Sequence, residues 1–202
     1  MISVVISTRK TDDAYLKRIK ETAGTEVEIL CYENNNQYSL TEIYNRGLKE
    51  SQNEVVVFMH DDLLFEKEAK WGIKLYEALM TTDYGILGKA GTTHMMETAK
   101  WWEDHMTMVG RVWHQQLHPK TGKLVKWPSE YSGYFTNRIT PVVAVDGLIF
   151  AVHKGRIKAS FDESIKGFHL YEIDFCLANF LEGVKIGVVF NFDVTHKSIG
   201  QT

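Results

Sequence analysis

Short apolar runs alternate with amphipathic stretches along the first half of the chain. Ile2 to Ile6 reads as a buried strand, closed by the polar turn Ser7-Thr8-Arg9-Lys10. Asp12 or Asp13 then caps a helix through Ile19, since a short acidic side chain accepts from the free N–H groups of a first turn. Val27 to Cys31 repeats the strand pattern and runs into a polar loop, Tyr32 to Tyr38, with Glu33 and three asparagines. From Leu40 to Ser51 the residues Leu40, Ile43, Tyr44 and Leu48 recur at helical spacing. Val55 to Met59 is a third strand, a helix is expected from Asp61 or Asp62 through Leu79, and Tyr84 to Leu87 is a fourth strand. This alternation implies a mostly parallel sheet with helices on both faces.

The alternation breaks at about residue 91. From there to Thr140 no regular period persists, and the segment holds four of the five tryptophans with several histidines and prolines. A long irregular insertion in a compact domain is usually a lid or a binding loop. Val142 to Val152 resumes as a strand interrupted by Asp146-Gly147, Phe168 to Leu181 as a helix and Val184 to Val189 as a last strand. No repeat, low-complexity tract or linker divides the chain, so residues 1–202 are expected to form one α/β domain.

Composition excludes more than it assigns. Hydrophobic residues make up 44% and charged residues 24%, as in ordinary globular chains. With 23 basic against 26 acidic residues and no basic block, nothing electrostatic points to nucleic acid. Cys31 and Cys176 have no zinc-ligand spacing and sit in apolar segments, which suits core packing in a reducing compartment. The chain opens directly on a strand, and no stretch has the roughly 20 apolar residues of a membrane span. A cytoplasmic location is therefore expected, with peripheral membrane contact left open.

Chemistry concentrates where strands end. Val55-Val56-Val57-Phe58-Met59 runs straight into His60-Asp61-Asp62, which places two carboxylates at the carboxyl edge of the sheet, where open α/β sheets bind ligands. Such carboxylates repel each other, and a hard cation beside a phosphate ester holds them together. The plain alternative is that one of them caps the next helix. A second acidic set, Glu172 and Asp174, lies near a helix start, where it either complements the helix dipole or supplies a general base. A partly buried aromatic setting would raise a base toward neutrality. His196 follows the last strand and can fold back over a metal; imidazole suits Mn2+ better than Mg2+.

Together these segments resemble the inverting family 2 glycosyltransferases of glycosyltransferase-A fold. Ile2 to Thr8 is similar to that family's opening strand, and Leu40 to Leu48, with Asn45 and Gly47, to its asparagine-glycine helix. His60-Asp61-Asp62 stands in the place of its Asp-x-Asp motif, Val145 to Val152 resembles its strand beside the acceptor, and Tyr171-Glu172-Ile173-Asp174 resembles its Glu-Asp-x-Asp motif. Two positions depart from the pattern, His60 for the first Asp and Tyr171-Glu172 for the Glu-Asp pair. The resemblance implies a single Rossmann-like domain that moves a sugar from a nucleoside-diphosphate donor, with UDP favoured, to a glycan, lipid-linked or small-molecule acceptor.

It also implies roles. Glu172 would be the general base, while Asp62 and His196 would hold Mn2+ or Mg2+. Ser7, Thr8, Arg9, Glu33, Asn34, Asn45 and Asp61 would bind the donor, and Asp146, Gly147 and Asp174 would lie on the acceptor side. Trp101, Trp102, Trp113 and Trp127 are either an acceptor platform or packing for the insertion, with packing expected for at least two. A silent nucleotide-sugar binder of the same fold and a metal-dependent nucleotidyltransferase or hydrolase are the competing readings.

Overall fold

Strand β1 (Ile2–Thr8) is buried almost throughout, and β2 (Val27–Glu33) and β3 (Val55–Met59) flank it in parallel. A computed structural model describes residues 1–131 and 139–197. Helices α1 (Asp13–Ala23) and α2 (Leu40–Glu50) make the crossovers. Each carries the start signal its sequence promises. The Asp12 carboxylate accepts from Ala14 N and Tyr15 N, and Ser39 closes a reciprocal capping box with Glu42.

After β3 the chain departs from expectation. Asp61 and Asp62 do not start a helix: they turn into the two-residue strand β4 (Leu63–Leu64), and α3 (Trp71–Thr81) begins later, at Lys70 in the left-handed region. Strands β5 (Tyr84–Gly88) and β6 (Ala90–Thr92) follow, then a hairpin of β7 (Met108–Leu117) and β8 (Leu124–Tyr131), then β9 (Thr140–Val142), β10 (Ala144–Val145) and β11 (Ile149–His153). Helix α4 (Tyr171–Leu181), β12 (Lys185–Val188) and β13 (Thr195–His196) complete the described chain.

The main sheet has the order β2-β1-β3-β11-β5-β12-β9. Five of its strands point one way, while β11 and β9 oppose them. The reversal of β11 matters for the site. Its first residues, not its last, lie at the carboxyl edge of β3, with Ile149 opposite Met59. The Asp146-Gly147-Leu148 turn is thereby held against His60, whose N–H donates to Leu148 O at 3.0 Å.

The insertion is more regular than its sequence suggests. With β10, β13 and β4, its strands form a second sheet, β10-β6-β7-β13-β4, with β8 added on β7; positions 132–138 of the insertion lie outside the described residues.

Successive β1 residues face opposite layers. Ile2 meets Gly72 of α3, and Val5 meets Gly47 of α2, so helices cover both faces. On the α2 and α4 side, Tyr44, Phe58, Phe150, Phe161 and Phe175 form a chain of rings with centroids 4.1–6.4 Å apart. Gly47 lets α2 lie this close, since a Cβ there would stand 2.5 Å from Val5 Cγ1 and 2.6 Å from Cγ2. Gly47→Ala is expected to cost about 1–3 kcal/mol through overpacking. For a chain of this size that is a fall in Tm of roughly 3–10 °C. An unchanged melting curve would show that α2 shifts freely.

Candidate active site

A cavity of about 570 Å³ opens between the carboxyl edge of the main sheet and the second sheet. One wall is the β3–β4 turn. Its two acids reach different partners: Thr8 Oγ1 donates to Asp61 Oδ2 at 2.5 Å, while Asp62 Oδ1 lies 3.2 Å from His196 Nε2. His196 is delivered by the second sheet. It pairs with Leu63 of β4 and with His114 of β7, and Lys197 N–H donates to the Asp62 backbone O at 3.1 Å.

One ligand atom each from His60, Asp62 and His196 lie within 4.8 Å of one another. Burial first, and then the nearby His196, push the His60 imidazole down to about 4, so it is neutral and keeps a lone pair. For His196 burial acts downward, but the hydrogen bond and charge of Asp62 outweigh it and raise the imidazole above its usual range. His60 Nε2 is 3.2 Å from Tyr171 Oη, which also lies 3.2 Å from Gly147 O. With the phenol donating to that carbonyl, the imidazole donates to the phenol through Nε2 and keeps its lone pair on Nδ1. Two neutral-capable imidazoles and one carboxylate make a chemically coherent divalent-cation site.

The same cavity is also lined by buried carboxyls. Glu172, in the first turn of α4, is only 8% exposed, and its Oε2 has no hydrogen-bond partner among the described residues. Burial, then the charge of Asp146, push its carboxyl up to about 8. Asp146 is also raised by burial, against the 2.7 Å hydrogen bond from Leu148 N and the pull of His196. Gly147 between them has no alternative. A Cβ there would collide with Tyr171 Oη and come within 3.3 Å of Glu172 Cδ.

Of the residues singled out in the sequence, Ser7, Asp61, Asp62, Asp146, Gly147, Glu172 and His196 line this one cavity, and Thr8 reaches it through Asp61. Others are engaged elsewhere. Arg9 is exposed beyond β1, and Glu33 accepts from Thr11 N at 2.8 Å. Asn34 braces its own loop through Gln37 and Tyr38. Asn45 bonds both backbone groups of Phe161 and the Glu163 carboxylate, tying α2 to the loop before α4. Asp174 is partly exposed and outside the cavity lining.

Trp101 and Trp102 line the cavity. Trp113 lies under Lys126, and Trp127 stacks on His114 with centroids 5.9 Å apart. In the sequence His60 and Tyr171 stand out only as departures from the motif, with no role given to either, and His114 is not singled out. For His60 a signal exists: with Asp62 it forms an i, i+2 pair just past a strand, the spacing at which extended residues share a side. His114 and Tyr171 carry no such local mark.

The crevice, with three candidate cation ligands and two buried carboxyls, lies at the sheet edge of an α/β fold of glycosyltransferase-A type. The family described as Glycosyltransferase like family matches residues 1–197, and the chain belongs to it. Three solved structures are similar in fold. The crystal structure of GalNAc-T7 with UDP, GalNAc and Mn2+ superposes with a TM-score of 0.58 at 10% identity, over 98% of this chain and 44% of that one. The catalytic domain of Drosophila beta1,4galactosyltransferase 7, in complex with xylobiose, gives 0.55 at 13% identity, over 98% and 71%. A197 from STIV gives 0.54 at 10% identity, over 98% and 86%. No curated protein sequence matches the chain. No helix among the described residues is long and apolar enough to cross a membrane.

Proposed function

We propose that this protein transfers a sugar from a nucleoside-diphosphate sugar to an acceptor hydroxyl with inversion, Glu172 acting as general base. The observation that carries this reading is the Glu172 carboxyl itself. It is buried, has an oxygen without a hydrogen-bond partner, is raised to about 8, and lines the same cavity as the His60–Asp62–His196 cluster. A buried base with a pKa near neutrality suits removal of a hydroxyl proton as the glycosyl bond forms. Asp146 beside it disfavours ionisation of both carboxyls together and orients the sugar or acceptor.

His60, Asp62 and His196 would hold the cation. Their nitrogen-rich set fits Mn2+ better than Mg2+, which prefers an all-oxygen shell. When bound, the cation neutralises charge on the diphosphate leaving group. The Asp61 carboxylate, fixed by Thr8, together with Ser7, meets the ribose or the cation's water shell. Arg9, Glu33 and Asn34 form the outer rim for the base, and Asn45 acts on the site through the Phe161 loop. Asp174 takes the outer acceptor side. UDP is the favoured nucleotide, as in the GalNAc-T7 structure, and a glycan is the favoured acceptor, given the two tryptophans on the wall.

The test is a thermal-shift panel of nucleotide sugars with and without Mn2+. A donor at about 100 times its Kd adds about 2.7 kcal/mol, roughly 5–10 °C for a chain of this size. A Mn2+-dependent shift with one UDP-sugar, followed by transfer to an acceptor with inverted anomeric configuration, is expected. A panel that moves nothing sinks the reading. The pH profile is a second check: Glu172 must be deprotonated to act, so kcat should climb with pH and level off above about 8.

A further inference from the structure

The β7–β8 hairpin does two unrelated things along its length. Its root builds the cavity wall with Val112, His114, Ser129 and Tyr131. Beyond that wall, from Gln116 to Lys126, every residue is exposed. A two-stranded hairpin whose faces no described residue covers is marginal in water, so its projection calls for a partner. Leu117 and Leu124 sit directly opposite each other at the end of the ladder, 65% and 61% exposed, and Val125 is exposed beside them. Aliphatic side chains are not what a solvated hairpin end requires.

Charge identifies the partner. From Val112 to Ser129 the sequence has three lysines, Lys120, Lys123 and Lys126, and no carboxylate, in a chain whose net charge is -3. Lys126 lies nearest the root, 3.5 Å from Glu66 and over the Trp113 ring. Lys120 and Lys123 flank the turn itself, next to the two leucines. Aliphatic residues ringed by lysines match a surface that offers hydrocarbon under a layer of negative charge.

We infer that the tip of this hairpin docks on an anionic lipid bilayer, with Leu117, Leu124 and Val125 entering the headgroup boundary and Lys120 and Lys123 meeting lipid phosphates. Leu117 is three residues past His114, about 10 Å of strand, so docking sets the cavity close to the bilayer surface.

The experiment is vesicle co-sedimentation at low salt, comparing phosphatidylcholine vesicles with vesicles that also contain phosphatidylglycerol. The wild type is expected to pellet only with the anionic vesicles. Lys120→Glu/Lys123→Glu and Leu117→Ser/Leu124→Ser should each weaken binding by at least about tenfold, since each lysine near a charged surface contributes about fivefold. Both variants change exposed positions, and unchanged melting curves certify their fold. Lys17→Glu/Lys20→Glu on α1 alters the net charge equally and should bind as the wild type does. No binding by the wild type, retention by either tip variant, or equal loss in the α1 control overturns the inference. Binding instead to an acidic protein would surface as the first of these.

Discussion

Glu172→Gln is expected to remove most of the turnover and yet leave a protein that is harder to unfold. The two effects share one cause. Burial and the neighbouring Asp146 hold the Glu172 carboxyl at about 8, so the folded state keeps a proton that the unfolded chain releases near 4.5. A group raised in the folded state stabilises fully below its unfolded pKa, and that contribution is lost as pH rises through the folded one. The wild type therefore weakens between about pH 4.5 and 8, while the glutamine variant, which does not titrate, is spared. Above pH 8 the variant should be more stable by as much as about 5 kcal/mol, the full span between the unfolded and folded pKa, or roughly 10–20 °C in Tm. Near pH 4.5 the two should melt together. Loss of the base should lower kcat by about 10²–10⁴-fold. Donor-induced thermal shifts should survive, because Glu172 is not one of the three side chains that would hold the cation. A variant that turns over at the wild-type rate, or one less stable at every pH, would remove Glu172 from the chemistry and make it a structural acid.

The Glu172 carboxyl, our proposed base, stands out in sequence because an apolar frame surrounds it. Tyr171, Ile173, Phe175 and Cys176 are buried around Glu172, and a carboxylate embedded in such a run has few reasons to be there. The framework of β1, α2 and β3 was legible for a similar reason: each depends on local signals, an apolar run or a cap. The helix expected from Asp61 was not. Nothing in the local pattern announces β4, which exists only because His196 and Thr195 come back to pair with it. The second sheet escaped detection because the hairpin loses its inside and outside beyond Gln116, so no period of two runs its length. Asn45 shows the opposite failure. Its place in the motif suggested donor contact, whereas tertiary structure commits its amide to the Phe161 loop.

His60 exposes the same limit more sharply, because its worth depends on a residue more than a hundred positions away. In sequence it stands where an acid is expected. In the fold it faces His196 with ring centroids 5.8 Å apart, and Asp62 completes the set. Two substitutions should separate its meaning from mere tolerance. Asp62→Asn removes the one anionic ligand while keeping its size. Mn2+ should then bind at least about 100-fold more weakly, since even an outer-shell partner of a ligand is worth about 10–100-fold, and the Mn2+-dependent donor shift should vanish with activity. His60→Asp should keep cation binding but change its preference, because oxygen replaces nitrogen and harder ions gain. Mg2+ should then support a donor shift that it supports poorly in the wild type, with Mn2+ losing its advantage. Titration of each cation by calorimetry, with no donor present, reads this without reference to turnover. Equal affinities for Mn2+ and Mg2+ in the wild type, unmoved by His60→Asp, would mean that the imidazole is a neighbour of the site and not a ligand. The opposite result would make the histidine at the motif's first position a choice of metal.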